Sequence, residues 1–204
     1  MKSLFLGNIM ENQNHYDYII CGGGASGLIL AQMFGNDPYF QNKKVLILEK
    51  GIKSQNDRTW CFWEAKNSVW NPITHKVWNS AEFKAAHFKK KIDLNPFQYK
   101  MIRGEDFYKK SHEILEKKSN ITFLVEEVLS LNDKGKEVHV LGKKKSYRAK
   151  KVFSSIPPST HISKNQKYPL LHQHFIGWFV NTEHPIFDPE TIQFMDFDLP
   201  QKGN

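Results

Sequence analysis

Six consecutive residues near the start of the chain, Gly22-Gly23-Gly24-Ala25-Ser26-Gly27, restrict its fold more than any other feature. They follow a short β-rich run, Tyr16 to Cys21, and open a segment, Ala25 to Phe34, in which Leu28, Leu30, Ala31 and Phe34 recur at helical spacing. Gly35, Asn36, Asp37 and Pro38 then supply a stop, and Val45 to Leu48 reads as a strand buried on both faces and closed by Glu49. The order is β, α, β with G-x-G-x-x-G at the first turn, the context in which that motif marks a dinucleotide site. Gly22 permits the tight turn, Gly24 lets the backbone approach a pyrophosphate, and Gly27 lets the helix pack close to the sheet. The helix N-terminus then faces the phosphates. Glu49 lies 22 residues after Gly27, where a carboxylate accepts hydrogen bonds from an adenosine ribose. The alternative is a glycine-rich turn with no ligand, which leaves the register of strand, helix and acid to chance. A nucleophile elbow would need glycine where Leu28 stands, so Ser26 is not a nucleophile.

With 204 residues the chain affords one full domain and a remainder. Hydrophobic residues at 40% and charged residues at 25% exclude collagen-like and wholly disordered readings. A net charge of +8 favours an anionic partner, whether cofactor phosphate, lipid headgroup or nucleic acid. No apolar run approaches the ~18 residues that cross a bilayer. Two cysteines, Cys21 and Cys61, form neither a disulfide framework nor a zinc set, which points to a reducing, cytoplasmic compartment. His172 and His174 lack companion ligands, so no metal is expected. Residues Gly51 to Pro72 read as an irregular stretch whose Trp60, Phe62, Trp63 and Trp70 must pack against something. Arg103 to Lys118 reads as a helix; Ile121–Val125, Val138–Leu141 and Arg148–Ser154 read as strands. Lys143–Lys145 fits a hairpin tip, and both this run and Lys89–Lys91 read as solvated charge, without the interleaved aromatics of a nucleic-acid surface. Beyond Pro157-Pro158 a polar linker precedes strand-like runs at Phe175–Val180 and Thr191–Phe197.

The opening DYIICGGGASGLILAQMF, then VLILEK, then Asp57 to Glu64 (DRTWCFWE) and finally Phe194-Met195-Asp196-Phe197 together resemble the FAD-dependent lycopene β-cyclases of carotenoid-making bacteria. The resemblance runs from Tyr16 to the last residue and looks like the first half of such an enzyme. It implies an α/β fold: a Rossmann-like FAD/NAD(P)-binding domain with the beginning of a β-rich substrate domain. The expected division is an extension over 1–15, a nucleotide domain over 16–158 with an inserted aromatic segment, and the incomplete start of a substrate domain over 159–204. The implied reaction is cyclisation of the linear ends of lycopene without net redox change, assisted by reduced FAD, with NAD(P)H as a possible electron source. The alternatives are a flavin-dependent oxidoreductase or monooxygenase on a smaller substrate, and a non-catalytic nucleotide-binding fragment.

Residue by residue, the resemblance implies that Gly22, Gly24 and Gly27 hold the pyrophosphate, with Gly23 and Ser26 also at the cofactor. Glu49 would hold the adenosine ribose, with Lys50, Arg58, Arg103 and Val128 also at the cofactor. Arg103 is read as opening its helix, with a plain surface arginine as the equal alternative. The segment Asp57 to Glu64 would lie beside the isoalloxazine, its aromatics lining a substrate path or else forming a simple core cluster. Glu64 and Asp196 are the implied proton carriers. Where many flavoproteins have Ala-Thr-Gly, this chain reads Val152-Phe153-Ser154-Ser155-Ile156-Pro157, leaving that backbone contact open. The expected partners are lycopene or a related linear carotenoid, a membrane surface met peripherally, and a missing C-terminal half, with no nucleic acid. A chain of this length alone is expected to bind FAD weakly and not to cyclise.

Overall fold

The structure, a computed structural model, describes residues 14–65, 67–156, 175–178 and 180–199. They divide into two compact units, one formed by 1–57 with 104–158, the other by 58–103 with 159–204. The insertion expected inside 16–158 therefore groups with the later segment. The extension before residue 14, the linker after Pro157 and the His172/His174 pair lie outside the described residues.

Among the described residues the first unit is a six-stranded sheet with two α-helices. Strand β1 (His15–Cys21) leads through helix α1 (Ala25–Asn36) to β2 (Val45–Glu49). Helix α2 (Gly104–Leu115) precedes β8 (Ile121–Val125), and β9 (Val128–Asp133), β10 (Val138–Gly142) and β11 (Ser146–Ser154) complete the sheet in the order β8-β2-β1-β11-β10-β9. Pairing is parallel from β8 to β11 and antiparallel through β10 and β9. This confirms the α/β class. Every residue of β2 is buried, as a continuous apolar run between two parallel neighbours requires.

The helices pack together, and Gln32 Nε2 donates to the buried Ser111 Oγ at 3.0 Å. Along α2, Phe107, Ser111 and Leu115 form the inward stripe, with Tyr108 beside them. A second core cluster joins Ile19, Cys21, Leu46 and Leu48 of β1 and β2 to Val140, Tyr147 and Ala149 of β10 and β11. The lysines 143–145 do form the tip between β10 and β11. Strand β9 escaped the sequence reading because five of its six residues are exposed, leaving no buried alternation to see.

Among the described residues the second unit has two small sheets. The first, in the order β3-β7-β4, is antiparallel and comprises β3 (Thr59–Ala65), β4 (Lys76–Trp78) and β7 (Phe97–Arg103). The other, β12-β5-β6, contains β5 (Ser80–Ala85), β6 (Phe88–Asp93) and β12 (Thr191–Asp196), with β12 parallel to β5. Two expectations change here, and a third holds. The aromatic stretch is not irregular between 59 and 65, because alternate residues Trp60, Phe62 and Glu64 share one half-buried face of β3. Residues 175–178 and 180 form no strand. Lys89–Lys91 belong to β6, a sheet edge, where charge discourages further pairing.

Candidate functional site: a pocket at the ends of the parallel strands

Sheet topology brings the C-terminal ends of β1, β2, β8 and β11 together, the place where open parallel sheets receive ligands. An open pocket of about 390 Å³ lies there. Its lining is Gly22 and Gly24 after β1; Leu48, Glu49, Lys50 and Lys53 at and after β2; Glu126, Glu127 and Val128 after β8; and Ser155 and Ile156 after β11.

The glycines differ in why they are bare. Gly22 has φ of +109°, in the region that favours glycine, and a side chain there would also strike the Ser155 hydroxyl. A Cβ on Gly23 would approach Glu49 Cβ at 2.9 Å and Phe123 at 3.2 Å. One on Gly27 would collide with the Gly22 carbonyl oxygen, so its absence allows α1 to sit against the turn. Gly24 is different: it caps α1 in extended conformation, makes no side-chain cap bond, and has nothing within 4 Å of an added Cβ. The protein itself does not require a glycine there. A backbone that must meet an external group at van der Waals distance does.

Glu49 is buried at the pocket, its Oε2 accepting the Gly23 N–H at 2.6 Å. That bond aims the carboxylate across the turn to the lining it shares with Gly24. An acceptor beside the open N-terminus of α1 suits both halves of an adenosine diphosphate group: hydroxyls for the carboxylate, phosphates for the N–H groups. The residues present therefore fit a dinucleotide cofactor. The departure from Ala-Thr-Gly does not take β11 away from this place. Ser155 N–H donates to the Cys21 carbonyl at 2.9 Å, and Ser155 and Ile156 reach the pocket wall.

Of the residues singled out in the sequence, Gly22, Gly24, Glu49, Lys50 and Val128 line this pocket, Gly23 grips Glu49, and Gly27 supports the turn. Ser26 is exposed in the first turn of α1. Arg58 and Arg103 are exposed residues of the second unit. Arg103 does not open a helix; it ends β7, paired with Thr59, and α2 starts at Gly104. Lys53, Glu126 and Glu127 carried no motif and became visible only when β2 and β8 paired.

The two carboxylates expected to carry protons both fall in the second unit. Glu64 Oε2 lies 3.3 Å from Lys100 Nζ, a fully buried ammonium that also donates to Asn71 Oδ1 at 2.7 Å and to the Ala65 carbonyl at 3.0 Å. Asp196 ends β12, 3.9 Å from Lys84 Nζ. Trp63 packs on Tyr99 at 4.6 Å between ring centroids and on Phe194 at 5.6 Å, while Phe194 also meets Phe83 at 5.4 Å. Those rings join the two small sheets, yet Trp63 remains 47% exposed. Neither cysteine is poised for thiolate chemistry, because burial pushes Cys21 up to about 12 and also raises Cys61.

Comparisons with known proteins agree with this architecture. p-Nitrophenol 4-monooxygenase PnpA from Pseudomonas putida superposes with a TM-score of 0.54 at 16% identity, over 69% of this chain and 41% of that one. PqsL from Pseudomonas aeruginosa, a probable FAD-dependent monooxygenase, gives 0.51 at 13% identity, over 68% of this chain and 42% of that one. At these identities the likeness shows the fold, a Rossmann-like one. The ubiquinone biosynthesis monooxygenase COQ6 of Xenopus tropicalis is 48% identical over 42 residues, which are 21% of this chain and 9% of that protein. The chain thus spans less than half the length of each of these proteins. The model of the family described as lycopene cyclase protein matches residues 17–204, from within β1 to the last residue, and the chain belongs to that family.

Proposed function

We propose that this chain binds FAD in the pocket at the ends of its parallel strands and forms the cofactor-binding part of a lycopene β-cyclase. The observation that carries the binding reading is Gly24, bare with open space before it, beside a buried carboxylate fixed by the neighbouring N–H. Family membership supports the substrate class. In this reading Gly22 and Gly27 shape the turn, Gly24 admits the pyrophosphate, and Glu49 accepts from the ribose hydroxyls. Reduced FAD supplies an electron-rich ring that can stabilise a carbocation without net oxidation.

The protein's own share of the chemistry is to deliver a proton to an apolar polyene end and to keep water from the cation. Asp196 is the first proton carrier to test. Glu64 comes second, since its carboxylate is engaged by buried Lys100. The basic balance of the chain suits an anionic lipid surface, where a hydrocarbon substrate resides. No described helix is long and apolar enough to cross a membrane. NAD(P)H is the proposed source of electrons for the flavin.

The test is flavin retention followed by turnover. Wild-type protein equilibrated with excess FAD should take up flavin, and Gly24→Val should fold and take up none. A folded Gly24→Val protein with wild-type flavin content would overturn the binding reading. Cyclic carotene formed from lycopene by the reduced protein, supplied with any continuation of the chain, supports cyclisation. The short match to COQ6 favours a second reading, monooxygenation, which predicts substrate-stimulated oxidation of NAD(P)H instead.

A further inference from the structure

We propose that Glu126 is a positioning residue that sets the pocket wall for the adenosine half of the nucleotide, acting through the β10–β11 hairpin. This rests on the dinucleotide reading of the pocket. Glu126 follows β8, its N–H bonds the Glu49 carbonyl at 2.8 Å, and it is only 3% exposed. Its backbone is thus stitched to the residue that faces the ribose, while Glu127 and Val128 continue the wall.

The side chain points into a socket made by the lysine-rich tip. Oε1 accepts the Lys144 N–H at 2.9 Å, and Oε2 accepts the buried Tyr147 hydroxyl at 3.3 Å. Burial, with the Glu126 carboxylate adding to it, pushes Tyr147 up to about 12, so the phenol remains a donor at any working pH. Gly142 completes the socket: a Cβ there would come within 2.8 Å of the carboxylate carbon and 2.7 Å of the Lys145 carbonyl oxygen. The tip is also tied to the next wall residue, since Lys143 N–H donates to the Glu127 carbonyl at 2.9 Å. The hairpin therefore closes round a carboxylate that belongs to the pocket wall. Because the hairpin engages both oxygens, Glu126 acts by holding Glu127 and Val128 in place.

The experiment measures ADP affinity by calorimetry for the full chain and three variants, each checked for folding by circular dichroism. Glu126→Ala and Gly142→Ala should each weaken ADP binding by about tenfold, the range expected when a buried charge-assisted contact is lost. Glu126→Gln should restore affinity to within about twofold, because an amide oxygen can still accept from Lys144 and its NH₂ can donate to the Tyr147 oxygen. Should Glu126→Ala fail to fold, Gly142→Ala, which keeps the carboxylate and displaces it, carries the test. Wild-type affinity in a folded Glu126→Ala or Gly142→Ala variant would overturn the proposal, and so would a Gln variant no better than Ala. Wild-type protein that binds neither ADP nor FAD would overturn the dinucleotide reading and this proposal with it, a result distinct from ADP binding indifferent to Glu126.

Discussion

In the first unit, β1 and β2 lie side by side with Ile19, Ile20, Cys21 and all of Val45–Leu48 buried; in the second, Ala81 and Ile102 are the buried apolar residues among those described. The first unit draws most of its core from short-range β-α-β order and from helices that cover a parallel sheet. The second joins distant pieces: Ser80 Oγ meets Thr191 Oγ1 at 2.9 Å, and β12 completes a sheet begun more than a hundred residues earlier. It leaves large apolar groups outside, among them Trp63, Val69, Phe88, Phe97, Ile186 and Phe187. Among its described residues the deeply buried charge is Lys100, which meets Glu64, the Ala65 carbonyl and Asn71 within 3.3 Å. Apolar packing dominates the first unit, whereas the second relies more on cross-strand pairs and polar contacts, so the two should respond to different insults.

The sharpest break in that comparison is Gly27→Val. Its side chain would enter the space of the Gly22 carbonyl, and overpacking against backbone should cost about 3 kcal/mol, seen as an earlier urea midpoint. Gly24→Val, three residues away, should move that midpoint by no more than about 0.5 kcal/mol while FAD affinity falls at least about a hundredfold, because open space surrounds the site. Similar losses of stability from both valines would show that Gly24 serves the fold after all.

For the second unit, Lys100→Ala should cost about 2 kcal/mol, below the usual figure for breaking a buried pair because Glu64, at 29% side-chain exposure, regains water. Glu64→Gln should cost less, since Lys100 keeps Asn71 and the Ala65 carbonyl. Tryptophan fluorescence during denaturation checks the order, and equal effects would mean that the ion pair itself, more than lysine solvation, holds β3 to β7.

The smallest expected effect is a response to acid. Hydrogen bonds from the Thr191 hydroxyl, the Glu190 N–H and Lys91 lower Asp188 to about 2 from 3.8. A carboxylate depressed in the folded state contributes stability above its unfolded value, and that contribution disappears as pH falls from about 3.8 towards 2. Hydrogen exchange at β12 should therefore quicken across that window in wild type and not in Asp188→Asn. The same acid sensitivity in both proteins would assign it elsewhere.

Legibility followed the same divide. The turn at Gly22–Gly27, the buried run Val45–Leu48 and the acid at Glu49 are local features, and Gly22, Gly24, Leu48 and Glu49 do meet at one pocket. Strands β4 to β7 could not, because lysines and isolated aromatics on small exposed sheets carry no strong period. Arg103 was misplaced for a related reason: β7 runs directly into α2, so the acids of the first helical turn lent their signal to the strand's last residue. Glu126 had no signature at all, since its partners arrive from a hairpin some twenty residues later.

Residues 58–103 leave and return at a single rung of the β3–β7 ladder, Thr59 opposite Arg103, within the connection from β2 to its neighbour β8. In polymer terms the first unit encounters this detour as a loop whose ends are already joined. Closure entropy grows only logarithmically, about 0.6 kcal/mol for each doubling of length, so the length or sequence of the detour can change with little penalty to the sheet that carries it. A fold interrupted at such a point tolerates change in the inserted segment. Shuffling this insertion among relatives, with its β12 partner strand, should yield hybrids whose six-stranded sheet unfolds at an unchanged urea midpoint.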